Sequence, residues 1–412
     1  MVGRGYVYSQ IMILVNSNRV SIIKYMHRIV LLLLLLVSSV SAQSQAPYLI
    51  EGEVKNVRDG VELLLMDVPA KKQLAIGVIK NGTFRLKAKP VQGGLRHLGL
   101  LALGDEFPPA YCVIYMREGS HVKIKGEDNL INLWKVESDL KENQNRRAYL
   151  EYVKDSEVVF AQTAASTLDL QRKEIKATEA EKASIKKQLK EVRMRNWNAQ
   201  LDTWKKSIEY FKTAEVDVTW WSEVLSLAKN SRMDDFPDKE GVKALYQGLS
   251  DEHKQSVEGK SLFAVLYPDK KIEDGKPMID AELFDLQGNK HSLAELKGKF
   301  ILLDFWNYSC SVCFKAIPEM KEIAEKYKER LSLVGLSTDK RDDWEAVSKK
   351  HDFTWHNWND MKQYAGLYAS YGVFAFPHYV LISPEGRILE SWTGYRKGML
   401  HDKMEQYIKW LN

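Results

Sequence analysis

Residues 300–318 read FILLDFWNYSCSVCFKAIP. Phe300, Ile301, Leu302, Leu303 and Phe305 put apolar or aromatic side chains at five of the first six positions. A short apolar run of this length, bounded by turns, reads as a strand buried on both faces. Asp304 interrupts it, and a lone carboxylate in a buried strand is costly unless paired or neutral. Its presence points to a functional group with a perturbed proton affinity. Six residues on come Cys310-Ser311-Val312-Cys313, with Pro318 following inside a helical stretch. A strand ending near Trp306 and a helix starting near Cys310 put the first sulfur at a helix N-terminus. Unpaired N–H groups and the helix dipole favour negative charge there, so the reactive thiolate is favoured. Cys313, one turn on, faces the same way and can attack a mixed disulfide. Asp304 is placed to exchange a proton with it.

Asp-Phe-Trp, then C-x-x-C, then Pro five residues past the second Cys resembles thioredoxin. With GNKHSLAELKGKFILLDFW ahead of the cysteines, the pattern is most similar to the TlpA/ResA branch, over 277–412. The resemblance implies an α/β thioredoxin fold, a redox-active Cys310–Cys313 disulfide, and thiol–disulfide exchange with protein clients. It implies a membrane thiol carrier as electron donor, a reductase direction and a place in cytochrome c maturation. It also implies that Pro377 is cis and faces the cysteines. Phe376 before it would offer its backbone to an extended client peptide. Trp306, Phe376 and Pro377 are the expected client-binding residues. Two positions depart from the branch: Ala316 stands where a Glu often follows the second Cys, and Ser309 stands in place of Trp. Asp304 is then the one motif-matched proton carrier.

Other readings of these residues stay open. Cys310 and Cys313 could form half of a zinc site, but zinc wants four ligands and the chain holds one further cysteine, Cys112. They could also be a stable local disulfide, Trp306 could be a packing residue, and Pro377 an ordinary turn proline. His378 suggests copper(I) beside two thiolates. Strand alternation turns it away from the face Pro377 presents. His351 and His356 read as surface residues, and Cys112 as a buried core thiol. No metal, flavin or nicotinamide is required.

Upstream, His27 and Arg28 precede nine apolar residues, 29–37, and then Val40-Ser41-Ala42. This reads as a secretory signal peptide cleaved after Ala42, too short for a membrane span, with Met26 the expected start. The mature protein is expected in the periplasm without stable membrane insertion. The chain carries a formal +5, and residues 1–42, with four cations and no acids, hold all but +1 of it. A near-neutral mature chain does not imply nucleic acid. A secreted chain with three cysteines is no disulfide-stapled scaffold, so its C-x-x-C is read as catalytic.

The expected architecture is multidomain. Residues 43–129 read as an all-β sandwich, with alternating strands at 48–54, 61–66, 73–79, 83–86, 110–116 and 121–124 and a tight hairpin at Asn81-Gly82. Residues 130–272 read as α-helical. Ile185, Leu189, Val192, Trp197, Leu201, Trp204, Ile208 and Phe211 recur at helical steps, and Lys186, Lys187, Lys190, Arg193 and Arg195 form a solvated face. Trp220, Trp221 and Phe236 read as packing residues. Glu273-Asp274-Gly275-Lys276-Pro277 reads as a linker into the thioredoxin-like part, 273–412, with strands at 280–286, 331–336, 378–382 and 387–392 and helices at 341–352 and 398–410. The size of the remaining chain leaves a second function open: an envelope binding or scaffold protein whose redox pair switches or stabilises partner contacts.

Overall fold

The computed structural model describes residues 46–91, 94–104, 107–108, 110–268, 272–351 and 353–408. The expected signal peptide and Trp410 lie outside the described residues. Residues 47–412 form one compact unit. Among the described residues, no helix is long and apolar enough to cross a membrane.

The described residues begin with strands β1 (Tyr48–Lys55), β2 (Glu62–Asp67), β3 (Lys72–Val78), β4 (Thr83–Ala88), β5 (Arg96–Leu103), β6 (Cys112–Met116), β7 (His121–Glu127) and β8 (Lys135–Glu137). They form two four-stranded sheets, ordered β4-β1-β7-β8 and β3-β2-β5-β6. β4 and β7 bury every second residue, as a strand with one wet face must. Ile50, Leu86, Val122 and Ile124 of one sheet share a core with Leu63, Leu65, Leu98 and Ile114 of the other. Each such side chain contributes roughly 1.5–3 kcal/mol on full burial.

Three local expectations are corrected. β5, RHLGLLAL, carries no alternation and no β-branched residue, so its sequence gives a weak strand signal. β8 carries the β part past residue 129 to Glu137, and the helices start at Lys141. Asn81 and Gly82 do make a tight turn, with φ of 50° and 69° and Lys80 and Thr83 cross-bonded. The strands on either side belong to different sheets, so the turn carries the chain across the core.

Helices α1 (Lys141–Lys176) and α2 (Glu179–Phe211) form an antiparallel hairpin. Tyr149 meets Ser207 near its base and Asn196 donates to Thr163 further out. A Thr178–Glu181 capping box starts α2. Lys186, Lys187, Lys190, Arg193 and Arg195 are exposed. Helices α3 (Val218–Asn230), α4 (Lys239–Gln247), α5 (Asp251–Gln255) and α6 (Val257–Leu266) follow, with Trp204, Trp220 and Phe236 buried between helices.

The C-terminal part runs β9 (Leu283–Phe284), β10 (Lys290–His291), β11 (Phe300–Trp306), α7 (Ser311–Lys326), β12 (Leu331–Ser337), α8 (Arg341–His351), β13 (His356–Trp358), α9 (Leu367–Ser370), β14 (His378–Ile382), β15 (Ile388–Thr393) and α10 (Met399–Ile408). Its five-stranded sheet is ordered β13-β12-β11-β14-β15, with β11 central, parallel to β12 and antiparallel to β14. The strand expected at 280–286 shrinks to β9. Asp280 instead accepts hydrogen bonds from Ser292 Oγ and the Leu293 and Ala294 N–H groups, which ties it to the next turn.

β11 is buried along its whole length. Phe300 and Leu302 pack against Ala316, Met320 and Ile323 of α7 and Leu400 and Met404 of α10. On the other face, Ile301, Leu303 and Phe305 share a core with Trp220, Val224 and Leu262 of the helical region. The segment expected to be a linker runs along the sheet edge, where the Gly275 N–H donates to the Ile388 carbonyl and the Ile388 N–H to the Lys276 carbonyl. The β part is tied on by Arg96, 95% buried, which lies 3.1 Å from Asp67 and 3.6 Å from both Asp342 and Asp343 of α8. Helical region and sheet are thus one core, joined to the β part by an ion cluster whose Arg96–Asp67 pair is buried.

Candidate active site

The turn after β11 is held by short polar contacts. Asn307 Oδ1 accepts from the Ser309 N–H and hydroxyl. The Tyr308 N–H donates 2.8 Å to Asp339, which also accepts from Ser337 Oγ at 3.0 Å. Burial pushes the Asp339 carboxyl up to about 7. This turn delivers Cys310 to the N-cap of α7, where its sulfur accepts the Cys313 N–H at 3.0 Å. Cys310 and Cys313 are joined by a disulfide. Cys310 is partly exposed and Cys313 is 4% exposed.

Asp304 is buried on β11, flanked by Gly335 of β12 and Tyr379 of β14. Alternation puts it on the same face as Leu302 and Trp306. Leu302 packs on Ala316 and Met320, and Trp306 packs with Cys313. Asp304 therefore faces the first turns of the cysteine helix. Its Oδ1 and the buried Tyr379 hydroxyl have no hydrogen-bond partner among the described groups. Burial pushes the Asp304 carboxyl up to about 8.

The Phe376–Pro377 peptide is cis and Pro377 is buried. Phe376 is partly buried against Tyr368 and joins Cys310, Cys313 and Tyr308 in one apolar cluster. Trp306, expected at the client surface, is 1% exposed and packs among Cys313, Phe314 and Phe353, so it cannot touch a client. It is the packing residue that the sequence left as the alternative. His378 lies tilted against Phe305 and meets Thr393 through Nδ1, on the sheet face opposite Cys313. Among the described residues, no three His, Cys, Asp or Glu side chains are grouped for a metal ion.

Several neighbours of the disulfide were not readable in the sequence. Phe374, in the loop before the cis-proline, is 55% exposed, and Val312 between the cysteines is 37% exposed. Phe314, the residue after Cys313, lies flat on His351 with ring centroids 4.3 Å apart. His351 is therefore a partly buried packing residue, its proton affinity lowered by burial and then by Lys350 and Lys71. Lys71, from the β part, sits over the other side of this pair with its Nζ 4.5 Å from the Phe314 ring. The Lys71 contact joins positions too far apart in sequence to be foreseen.

A central strand that feeds a C-x-x-C pair onto a helix N-terminus, with a cis-proline and a buried acid beside it, defines a thioredoxin-fold dithiol–disulfide centre. Residues 275–391 match the AhpC/TSA family. The chain is 29% identical over 153 residues to the thiol-disulfide oxidoreductase ResA of Bacillus thuringiensis subsp. konkukian, covering 34% of this chain and 80% of ResA. It is 30% identical over 141 residues to the thioredoxin-like protein YneN of Bacillus subtilis, covering 33% of this chain and 79% of YneN. Among solved structures, the thioredoxin domain of a thiol-disulfide oxidoreductase from Bacteroides vulgatus superposes with a TM-score of 0.31 at 28% identity, covering 34% of this chain and 100% of that domain. The chain belongs to the TlpA/ResA-like thioredoxin family and is a thiol–disulfide oxidoreductase.

Proposed function

We propose that the protein reduces disulfides of client proteins in the periplasm. In this reading the Cys310 thiolate attacks a client sulfur, and one client sulfur leaves as a thiolate that takes up a proton. Cys313, deprotonated by Asp304, then attacks Cys310 and releases the second client sulfur as a thiol. One disulfide forms in the enzyme as one breaks in the client, with two electrons transferred. A membrane thiol carrier returns the enzyme to the dithiol, and apocytochrome c is one client class that suits the family. The observation that carries the reading is the asymmetry of the pair: Cys310 partly exposed on the helix N-terminus, Cys313 buried one turn inside. Phe376 and Pro377 are the client-binding residues in this reading, with Phe374 and Val312 as an apolar surround. The apolar run at 29–37 supports export.

Two results test this. In Cys313→Ala, clients should accumulate as mixed disulfides on Cys310, visible as dithiothreitol-sensitive adducts after extraction from the native envelope. Absence of adducts, with Cys310 still alkylatable, would count against client reduction. Wild-type protein should accelerate insulin precipitation by dithiothreitol, whereas a scaffold with a non-catalytic disulfide would leave that rate unchanged. In the reduced protein, Cys310 should alkylate faster than Cys313 at neutral pH, because a partly exposed sulfur at a helix N-terminus is the more ionised and accessible one. The reverse order would exchange their roles.

A further inference from the structure

A cleft of about 1280 Å³ runs between the β part and helix α8. Lys71, Lys72, Lys87, Lys89, Lys349 and Lys350 line it, with Arg96 at its floor. Against these seven cations stand three lining carboxylates, and all three are engaged. Asp67 and Asp342 lie on Arg96, and Glu345 lies on Arg341 and Lys349. Among the described residues, Lys72, Lys87 and Lys89 meet no carboxylate, and all three are exposed. The chain beyond residue 42 is close to neutral, so this concentration of charge is local.

The cleft touches the packing around the disulfide through Lys71. At its inner end the Lys350 Nζ donates to the Lys71 carbonyl, and the Lys71 Nζ lies over Phe314. Phe314 belongs to the same cluster as Cys310 and Cys313. We propose that this cleft docks an acidic, extended segment of the client protein and so directs its disulfide to Cys310. This rests on the disulfide-exchange reading above. The volume exceeds the roughly 300–1,000 Å³ of small-ligand pockets, which suits a peptide. The site is concave, with Lys71 recessed at its end, so a flat anionic membrane would reach the rim alone. Like-signed charge in a cleft raises the local concentration and association rate of a complementary partner by 10- to 1,000-fold.

The test uses the full chain and two synthetic peptides, each with one internal disulfide preceded by about six residues, roughly 20 Å when extended. One carries Asp and Glu in that run and the other Asn and Gln. With wild-type protein, kcat/KM should favour the acidic peptide by at least about tenfold near 0.05 M ionic strength and lose that preference near 0.5 M. Lys72→Glu/Lys87→Glu/Lys89→Glu should bring the ratio to about one, while Lys123→Glu on the exposed face of β7 should keep it. The salt series needs no variant, so a misfolded triple variant does not remove the test. If neither peptide is reduced, the oxidoreductase reading of the clients fails. If both are reduced equally at low salt, the docking proposal alone is overturned. It is also overturned if phosphatidylserine–phosphatidylcholine vesicles bind wild type and not the triple variant while the peptide ratio stays at one.

Discussion

Asp304→Asn should slow decay of the mixed disulfide by about 10²-fold, the low end of what a positioned acid or base supplies, and leave its formation nearly unchanged. That is a barrier increase of roughly 3 kcal/mol. Asp304 sits on the strand face turned to the first turns of the cysteine helix, and Asn keeps its shape while removing the proton carrier. Its carboxyl is already pushed up to about 8 by burial, and a neighbouring thiolate would raise it further. Asp304 and Cys313 should therefore titrate as one unit in the reduced protein. Stopped-flow mixing with a model disulfide across pH separates the two steps. Equal rates for both steps in wild type and variant would make Asp304 a structural residue.

The same substitution has a signature in stability, best read in the oxidised protein, where no thiol titrates at the pair. A folded-state value near 8, above the ordinary 3.8 of a carboxyl, means the native state holds a proton the unfolded chain has lost. Native stability is then full below about pH 4 and falls by about 1.4 kcal/mol per unit as pH rises towards 8. Asp304→Asn removes that slope. Its advantage over wild type in urea unfolding should grow from about pH 4 to about pH 8. A constant difference across that range would show that Asp304 does not hold its proton in the fold.

The second large effect is expected at Arg96→Met, which should cost about 3–5 kcal/mol, the usual result of removing one partner of a buried ion pair. Asp67 is 1% exposed and would lose the guanidinium 3.1 Å away. Asp342 and Asp343 would lose their link to the β part. Asp343, raised to about 6 chiefly by burial, is held down by Arg96 and would rise further without it. A carboxyl raised in the fold contributes stability at low pH that disappears as pH increases. The defect should therefore be larger at about pH 8 than at about pH 5. Asp67 also accepts the Ala70 N–H, so the variant should loosen the turn that holds Lys71 over Phe314. Urea unfolding at the two pH values measures the loss. Adding Asp67→Asn should recover much of it, because the charge left without a partner is then gone. A single variant within about 1 kcal/mol of wild type would mean the cluster is screened and adds little.

Cys310, Cys313 and Asp304 were legible because their signals are local, whereas the place of Pro377 came from the family resemblance. An apolar run fixes the strand, four residues fix the pair on one helical turn, and alternation fixes which side chains share a face. The same alternation, followed two residues past Asp304, places Trp306 under the site. What stayed hidden depends on contacts between distant segments. β5 has neither alternation nor β-branched residues to mark it, yet it supplies Arg96, which binds helix α8 more than 240 positions away.

By itself, then, the sequence determined the redox centre: the strand, the cysteine pair on its helix and the buried acid beside them, all set by backbone periodicity within some twenty residues. The tertiary structure alone decided what surrounds that centre. It fused the helical region to one face of the central sheet, brought Lys71 onto Phe314, and formed a lysine-lined cleft between the β part and helix α8. Those features follow from which apolar faces find each other on burial and which charges are left together at the seams, and no local pattern encodes either.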